Sequence, residues 1–336
     1  MTLRAARQSQ PSNPASQRRR ALAAGLAVAA LVLTGCGQGP HASHAVLKVG
    51  SQKGGDRALL LASGALEGAP YKVEFSDFPA AQHLLEALAA GAVDVGLVGD
   101  APFLFAYAGG AKIKAVQAAA APEGGVSTAI VVPAGSPIRS LADLKGRRIA
   151  TGRGSIGHYL LLRALGQAGL KPADVTIVFL APSDAKAAFS TGAVDAWSAW
   201  APYLPLAQKD GARVVADGRG LLTGYAFEVA SASALAEKRA LLDDYLKRLA
   251  RAERWGQTHQ AEYAQALAKE TGLAPDIALR TVQLNSRGPR VIDEAVLREE
   301  ADVLAKFQQT GAIAARPDLR AGFDTGFNDA AAPANP

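Results

Sequence analysis

Ala90-Gly91-Ala92-Val93-Asp94 and, about one hundred residues further on, Thr191-Gly192-Ala193-Val194-Asp195 carry one pattern. Each is followed by its own Ala-Pro block, Ala101-Pro102-Phe103-Leu104 and Ala201-Pro202-Tyr203-Leu204. In both copies a helix stops at Gly, an apolar run opens on Val-Asp, and a new helix starts near Ala-Pro, where Pro suits a first turn. The blocks agree in order as well as in content, with one residue fewer between them in the second copy. This points to duplication of one α/β unit.

Outward from these blocks, short apolar runs alternate with helical stretches. Strands are expected at 46–50, 71–75, 93–98, 113–119 and 128–132, with helices at 57–64, at 82–90 and from 101. The pattern restarts with a short capped helix at 140–144, strands at 148–150, 175–180, 194–197 and 213–216, and helices at 156–168 and 184–190. Such alternation indicates a parallel sheet covered by helices. From 233 to 309 the periodicity is that of long amphipathic helices, with no strand. The fold class expected is α/β, in two lobes spanning 46–130 and 131–225. Residues 226–330 return to the first lobe and add C-terminal helices that pack mainly on it. Extended crossings near 127–133 and 223–231 would set the lobes face to face across a cleft. Ligands of open α/β sheets bind at strand carboxyl ends, and two such lobes close by a hinge.

The chain's beginning reads as a targeting segment. Arg18-Arg19-Arg20 precedes an apolar run at 21–33, the layout of a secretory signal; the run falls short of the about 20 residues needed to span a bilayer. Leu33-Thr34-Gly35-Cys36 resembles the bacterial lipobox, which makes residues 1–35 a lipoprotein signal, Cys36 the lipidated residue and 36–45 a tether. Either the general or the twin-arginine export route suits Arg18 and Arg19. Cys36 is the sole cysteine, so a disulfide framework and a Cys-based metal site are both excluded. Residues 1–35 hold five arginines and no acid, so the net charge of +6 falls to about +1 once they are removed. The argument for a nucleic-acid partner goes with them.

Functional residues are sought in the loops after strands. Ser51-Gln52-Lys53-Gly54-Gly55 lets backbone approach a ligand, and Gly99-Asp100-Ala101-Pro102 opens a helix at the cleft. Thr151-Gly152-Arg153-Gly154-Ser155-Ile156-Gly157-His158 is a glycine-rich strand-to-helix turn. Its Ile156, Gly157 and His158 amides and the Ser155 hydroxyl would converge on an anion. Gly152, Gly154 and Gly157 satisfy G-x-G-x-x-G. The acidic residue that a dinucleotide site needs at a strand end is missing, however, since Asp174 precedes its strand. The Gly-Lys-Ser/Thr of a phosphate-binding loop is also missing. Trp197 and Trp200 offer an apolar wall, one of them being expected in the core, with Tyr225 and Phe227 as further wall candidates. Arg287 could fork onto an oxyanion. His158 is a candidate at the helix start, although packing is the commoner role there. No nucleophile elbow and no paired His at metal spacing is found, and His41 and His44 fall in the tether. No catalytic residue, metal or cofactor is expected.

In sequence order, several segments together resemble the sulfonate, taurine and nitrate group of periplasmic solute-binding proteins, above all its alkanesulfonate branch. These are Gly50-Ser51-Gln52-Lys53-Gly54, Gly91-Ala92-Val93-Asp94 with Gly99-Asp100-Ala101-Pro102, Ser140-Leu141-Ala142-Asp143-Leu144-Lys145-Gly146-Arg147, Ser155-Ile156-Gly157-His158-Tyr159, and Ala193-Val194-Asp195-Ala196-Trp197-Ser198-Ala199-Trp200. The resemblance implies a two-lobed type II periplasmic fold holding an oxyanion by helix-start amides and hydroxyls. By position it implicates Gln52, Gly99, Asp100, Ser155, Gly157 and Trp197. Implied partners are a small anion (a sulfonate or sulfate ester) and the membrane subunits of an ABC importer, with a monomer held at the outer face of a membrane through Cys36. Where the alkanesulfonate branch tends to have a run of Ser or Thr, this chain has Ser155-Ile156-Gly157, which leaves the anion's identity open. The alternatives are a same-fold enzyme of the thiamine-pyrimidine synthase type, which relies on a cysteine-rich motif, and a binding module for a sensor.

Overall fold

A computed structural model describes residues 45–53, 55–121 and 123–332; the expected signal, Cys36 and nearly all of the tether lie outside them. The first stretch runs β1 (Val46–Gln52), α1 (Asp56–Ala62), β2 (Lys72–Phe78), α2 (Ala81–Ala89), β3 (Val95–Gly99), α3 (Asp100–Ala108) and β4 (Ile113–Ala120). The second runs β5 (Thr128–Val132), β6 (Arg148–Thr151), α4 (Ile156–Gln167), β7 (Thr176–Phe179), α5 (Pro182–Ser190), β8 (Ala196–Trp200), α6 (Tyr203–Lys209) and β9 (Arg213–Asp217). Then come β10 (Tyr225–Ser231), α7 (Ala232–Glu237), α8 (Arg239–Thr258), α9 (Gln260–Thr271) and α10 (Pro275–Asn285). The chain finishes with β11 (Gly288–Arg290), α11 (Glu294–Gln309) and α12 (Asn328–Ala331).

Two sheets result, ordered β11-β4-β10-β3-β1-β2 and β7-β6-β8-β5-β9. Within each, the β1/β2/β3 and β6/β7/β8 sets are parallel, as expected. The sheets are nevertheless mixed. The crossing strand β10 runs antiparallel to β3 and β4, and β5 antiparallel to β8 and β9. Each of these strands arrives from the opposite lobe and so enters its sheet in the reverse sense.

The two copies read in the sequence build the same local structure. Lys48 N donates to the Asp94 carboxylate at 2.7 Å while Asp94 N donates back to Lys48 O at 2.8 Å. In the second sheet Arg148 N and Asp195 repeat both bonds, again at 2.7 and 2.8 Å. Val-Asp is thus a clasp before the strand and not its first two residues, so β3 and β8 begin two residues later than the apolar run suggests.

The core is continuous. One cluster of buried side chains runs from Leu84 and Phe103 in the first lobe to Ile149 and Tyr159 in the second, with Phe307 of α11 between them. The Phe307 ring stands 5.9 Å from Phe105 and 5.0 Å from Tyr159. On the outer face of the first sheet, Leu242, Tyr245, Leu246 and Leu249 of α8 cover Leu47, Val49, Val95 and Val116. Leu284 of α10 packs with Trp197 and Ala199 of the second lobe, and Lys209 of α6 reaches Asp276 of α10 at 2.8 Å. The C-terminal helices therefore touch both lobes. Among the described residues no helix is long and apolar enough to cross a membrane.

Candidate functional site

The carboxyl ends of β1, β3, β6 and β8 meet at a cavity of about 120 Å³. Its second-lobe wall is the turn between β6 and α4. Ser155 N donates to Gly152 O at 3.1 Å, and the Ser155 hydroxyl also donates there at 2.7 Å. The same hydroxyl accepts from His158 N at 3.1 Å as the N-cap of α4. Gly154 has φ +68°, and a Cβ there would stand 2.6 Å from the Phe105 ring, so only glycine fits. Tyr159 N is taken by Ser155 O. The Ile156 and Gly157 amides are then the first-turn donors with no acceptor among the described residues, as at any helix start lacking a further cap.

One bond ties the start of α4 to β8, and a second ties β6 to the same residue. Ser198 Oγ donates to Gly157 O at 2.7 Å, and Thr151 Oγ1 donates to Ser198 O at 3.1 Å. The close approach requires a glycine, because a Cβ on Gly157 would lie 2.5 Å from Ser198 O. Opposite, Gln52 donates to Leu97 O at 2.7 Å, which fixes its side chain at the cleft wall. Tyr225, Gly99, Ser155 and Ile156 also line the cleft. Two charged side chains line it, Lys53 and Arg287, and both are cationic. Arg287 Nε is buried without a hydrogen-bond partner, and its Nη1 contacts to Asn285 are long, at 3.4 Å. Burial opposes the guanidinium charge, while Asp100, Tyr263, Asp56 and Glu253 favour it. Bonds between the lobes narrow the entrance: Tyr203 Oη donates to Pro79 O at 2.9 Å and Gln82 Nε2 to Arg153 O at 3.0 Å. A helix start with free amides, two cations and no lining carboxylate suits a small anion.

The NMT1/THI5-like family model matches residues 72–217. An Escherichia coli (strain K12) protein bearing the name aliphatic sulfonates-binding protein is 38% identical over 275 residues, covering 80% of this chain and 83% of the relative. The chain belongs to the aliphatic sulfonate-binding family. The alkanesulfonate-binding protein SsuA from Xanthomonas axonopodis pv. citri, solved with MOPS bound, superposes with TM-score 0.76 at 34% identity, over 83% of this chain and 98% of that one. The periplasmic aliphatic sulphonate binding protein SsuA from Escherichia coli gives TM-score 0.72 at 32% identity, over 82% and 90%. The two-lobed periplasmic-binding-protein fold expected from the sequence is thereby established.

In this member of the family, several expected positions lie elsewhere than the sequence suggested. Trp197 is only 2% exposed and packs on Phe189 and Tyr203 in the second lobe's core, whereas Trp200 lines the cleft. Both residues sit within β8, whose faces alternate, so side chains three positions apart point to opposite sides. Phe227 is fully buried against Phe103 and Phe323. Asp100 is fully buried as well: its carboxylate takes the Ala101 amide at 2.5 Å and the Thr223 hydroxyl. It ties the start of α3 to the crossing before β10 and does not reach the cavity. His158 is 4% exposed, and its Nδ1 accepts from Gly154 N at 3.2 Å. Burial, then the Arg153 charge, pushes its pKa down to about 4, so it is a neutral strut for the turn. Ser155 has its one hydroxyl proton committed to Gly152 O, and Gly157 contributes its backbone alone. The sequence reading left out Lys53 and Tyr203 as lining residues, and of the two indoles it offered for the wall the resemblance pointed to Trp197. Both lay inside quoted segments, and a strand running on to residue 200 would have put the second indole at the cleft edge.

Proposed function

We propose that this chain is the extracytoplasmic solute-binding component of an ABC importer and holds an organosulfonate or related small oxyanion between its lobes. The observation that carries the reading is the unpaired amide of Ile156 at the start of α4, with that of Gly157 next along the turn, in a cleft whose charged lining residues are Lys53 and Arg287. A sulfonate presents three acceptor oxygens and one charge, which match such donors without any proton transfer. The family membership, with relatives named for aliphatic sulfonates, supports the same ligand class. Lobes of roughly residues 46–130 and 131–225, with the return at 226–330, would close about the crossings at β5 and β10.

The protein works by binding and not by turnover. Among the described residues, the cleft lining has no cysteine or histidine, and the serine at its centre is consumed as a helix cap. The thiamine-pyrimidine synthase alternative lacks its cysteine-rich motif. Cys36 would carry the lipid that holds a monomeric protein at the outer face of a membrane, in reach of the importer; Cys36→Ser should release it into the soluble fraction.

A thermal-shift and calorimetric screen against alkanesulfonates, sulfate esters, nitrate and pyrimidines tests the assignment. A ligand at 100 times its Kd stabilises the fold by about 2.7 kcal/mol. Stabilisation by a pyrimidine with none by any sulfonate or sulfate ester would overturn the reading.

A further inference from the structure

The segments that join the lobes face two spaces, the cleft in front and a groove of about 640 Å³ behind it. Gly125, Ser127 and Thr128 line the cleft, while Val126 and Ala129 line the groove. The link after α10 alternates in the same way: Asn285 and Arg287 face forward, Leu284 and Ser286 backward. Among the described residues none lines both spaces, so one layer of backbone separates them. Within that layer the two crossings touch backbone to backbone, since a Cβ on Gly125 would lie 2.6 Å from Gly218 O. A layer this thin, with glycines at its contact, is where two lobes can turn.

The walls of the groove belong to different lobes. Gln208 of α6 and Asp217 of β9 stand on the second-lobe side, and Gln257, Arg280 and Gln283 on the side of α8 and α10. α10 is anchored to the first lobe, where its Ala278 and Val282 pack with Ala58 of α1. The three glutamines are exposed, so the walls can meet or part in water without baring apolar surface, and charge decides which they do. Asp217 is already held by Arg219 at 2.7 Å. Glu123 lies on the same edge, its charge acting on Arg219. That edge therefore carries two acids and one cation, against the single cation Arg280 opposite. Arg280 and Glu123 are both exposed, and neither has an ion pair among the described residues. The entrance bonds from Tyr203 to Pro79 and from Gln82 to Arg153 draw the lobes together in front. With the front drawn in, the cleft is the small space, at about 120 Å³, and the groove the large one.

We propose that the groove narrows as the cleft opens, and that Arg280 then pairs with Glu123 to latch the empty, open form. A ligand that draws the lobes together must part this pair, so the latch weakens binding and favours reopening. This rests on the lobe closure proposed above and not on which anion is held. An exposed ion pair biases such an equilibrium by up to about fivefold, and apparent affinity shifts in proportion to the competent fraction.

Spin-label distances on the purified, ligand-free protein read both spaces. With Cys36→Ser removing the sole cysteine, labels at His83→Cys and Asp184→Cys span the front, and labels at Gln208→Cys and Gln257→Cys span the groove. All four positions are exposed. The parent should show an open population, longer in front and shorter behind. Arg280→Gln should reduce that population by about two- to fivefold. High salt should reduce it in the parent and leave it unchanged in Arg280→Gln, because screening acts only where the pair exists. The swap of Arg280→Glu with Glu123→Arg should restore it. Front and rear distances lengthening together would overturn the reciprocal groove. An open population untouched by Arg280→Gln, or no recovery in the swap, would overturn the latch. A single short front distance in the ligand-free parent would overturn lobe closure and this proposal with it, leaving the choice of anion to its own screen.

Discussion

The approach of α4 to β8 can be tested by one methyl group used twice. Gly157 and Gly166 lie on the same helix. Alanine at an unhindered helical site stabilises by about 0.5–1 kcal/mol relative to glycine. Gly166 has nothing within 4 Å of its would-be Cβ, so Gly166→Ala should show that full gain. At Gly157 the same methyl would sit 2.5 Å from Ser198 O and 2.7 Å from Thr151 Oγ1. The obstacle is strand backbone, and relieving it means lifting the helix start and losing the Ser198–Gly157 bond. Overpacking costs roughly 1–3 kcal/mol, and the lost bond about 1 kcal/mol more. After the propensity gain, Gly157→Ala should be about 1–3 kcal/mol less stable than the parent. It should also bind anions more weakly, since the displaced turn carries the free amides. Urea unfolding of both variants at equal m-value gives the comparison. Equal stabilisation by the two substitutions would show that α4 does not press on β8 as described.

Three further outcomes follow from the same geometry. Trp200→Ala should weaken ligand binding at little cost to the fold, while Trp197→Ala, which empties the second lobe's core, should cost about 3–5 kcal/mol; the reverse pattern in melting and titration would reinstate the sequence-based choice. His158 has a folded pKa near 4 against an ordinary 6.5, so its contribution to stability is complete above pH 6.5 and is lost as pH falls toward 4. That amounts to about 3 kcal/mol; His158→Asn, which keeps an acceptor, should lose less stability across this window, and identical pH profiles would refute the assignment. Glu300 of α11 is fully buried with both oxygens unpartnered, and burial, with Asp100 and Glu299 nearby, raises its pKa well above 4.5. Its contribution is present below pH 4.5 and declines as pH rises, so Glu300→Gln should gain stability over the parent between pH 5 and pH 8, and a difference independent of pH would rule this out.

Much of the architecture was legible because the two copies repeat chemistry and not merely composition. Val-Asp recurs since each aspartate clasps the parallel strand next to its own, and the glycine-rich turn could be read from its spacing as a helix start at a strand end. Strand ends were misplaced where hydrophobicity and hydrogen bonding part company: Val93 and Val194 look like strand but belong to the clasp. Ending β8 at 197, three residues short of its true end, favoured Trp197 over Trp200 at the cleft edge. The edge strand β11 was invisible because Gly288-Pro289-Arg290 has no β propensity; it exists only because β4 offers it an open edge. The Ser155 hydroxyl was over-read, since a serine at a helix start caps its own backbone before it serves a ligand. The company of Arg287 could not be read at all, its buried acids lying at positions 56, 100 and 253.

The apolar cluster threaded through Phe105, Phe307 and Tyr159 sets how the molecule comes apart. Melting one lobe alone would strand half of that shared interior in water, so heat should disassemble both together in a single cooperative step. Two lobes with one shared interior should thus fail as one body.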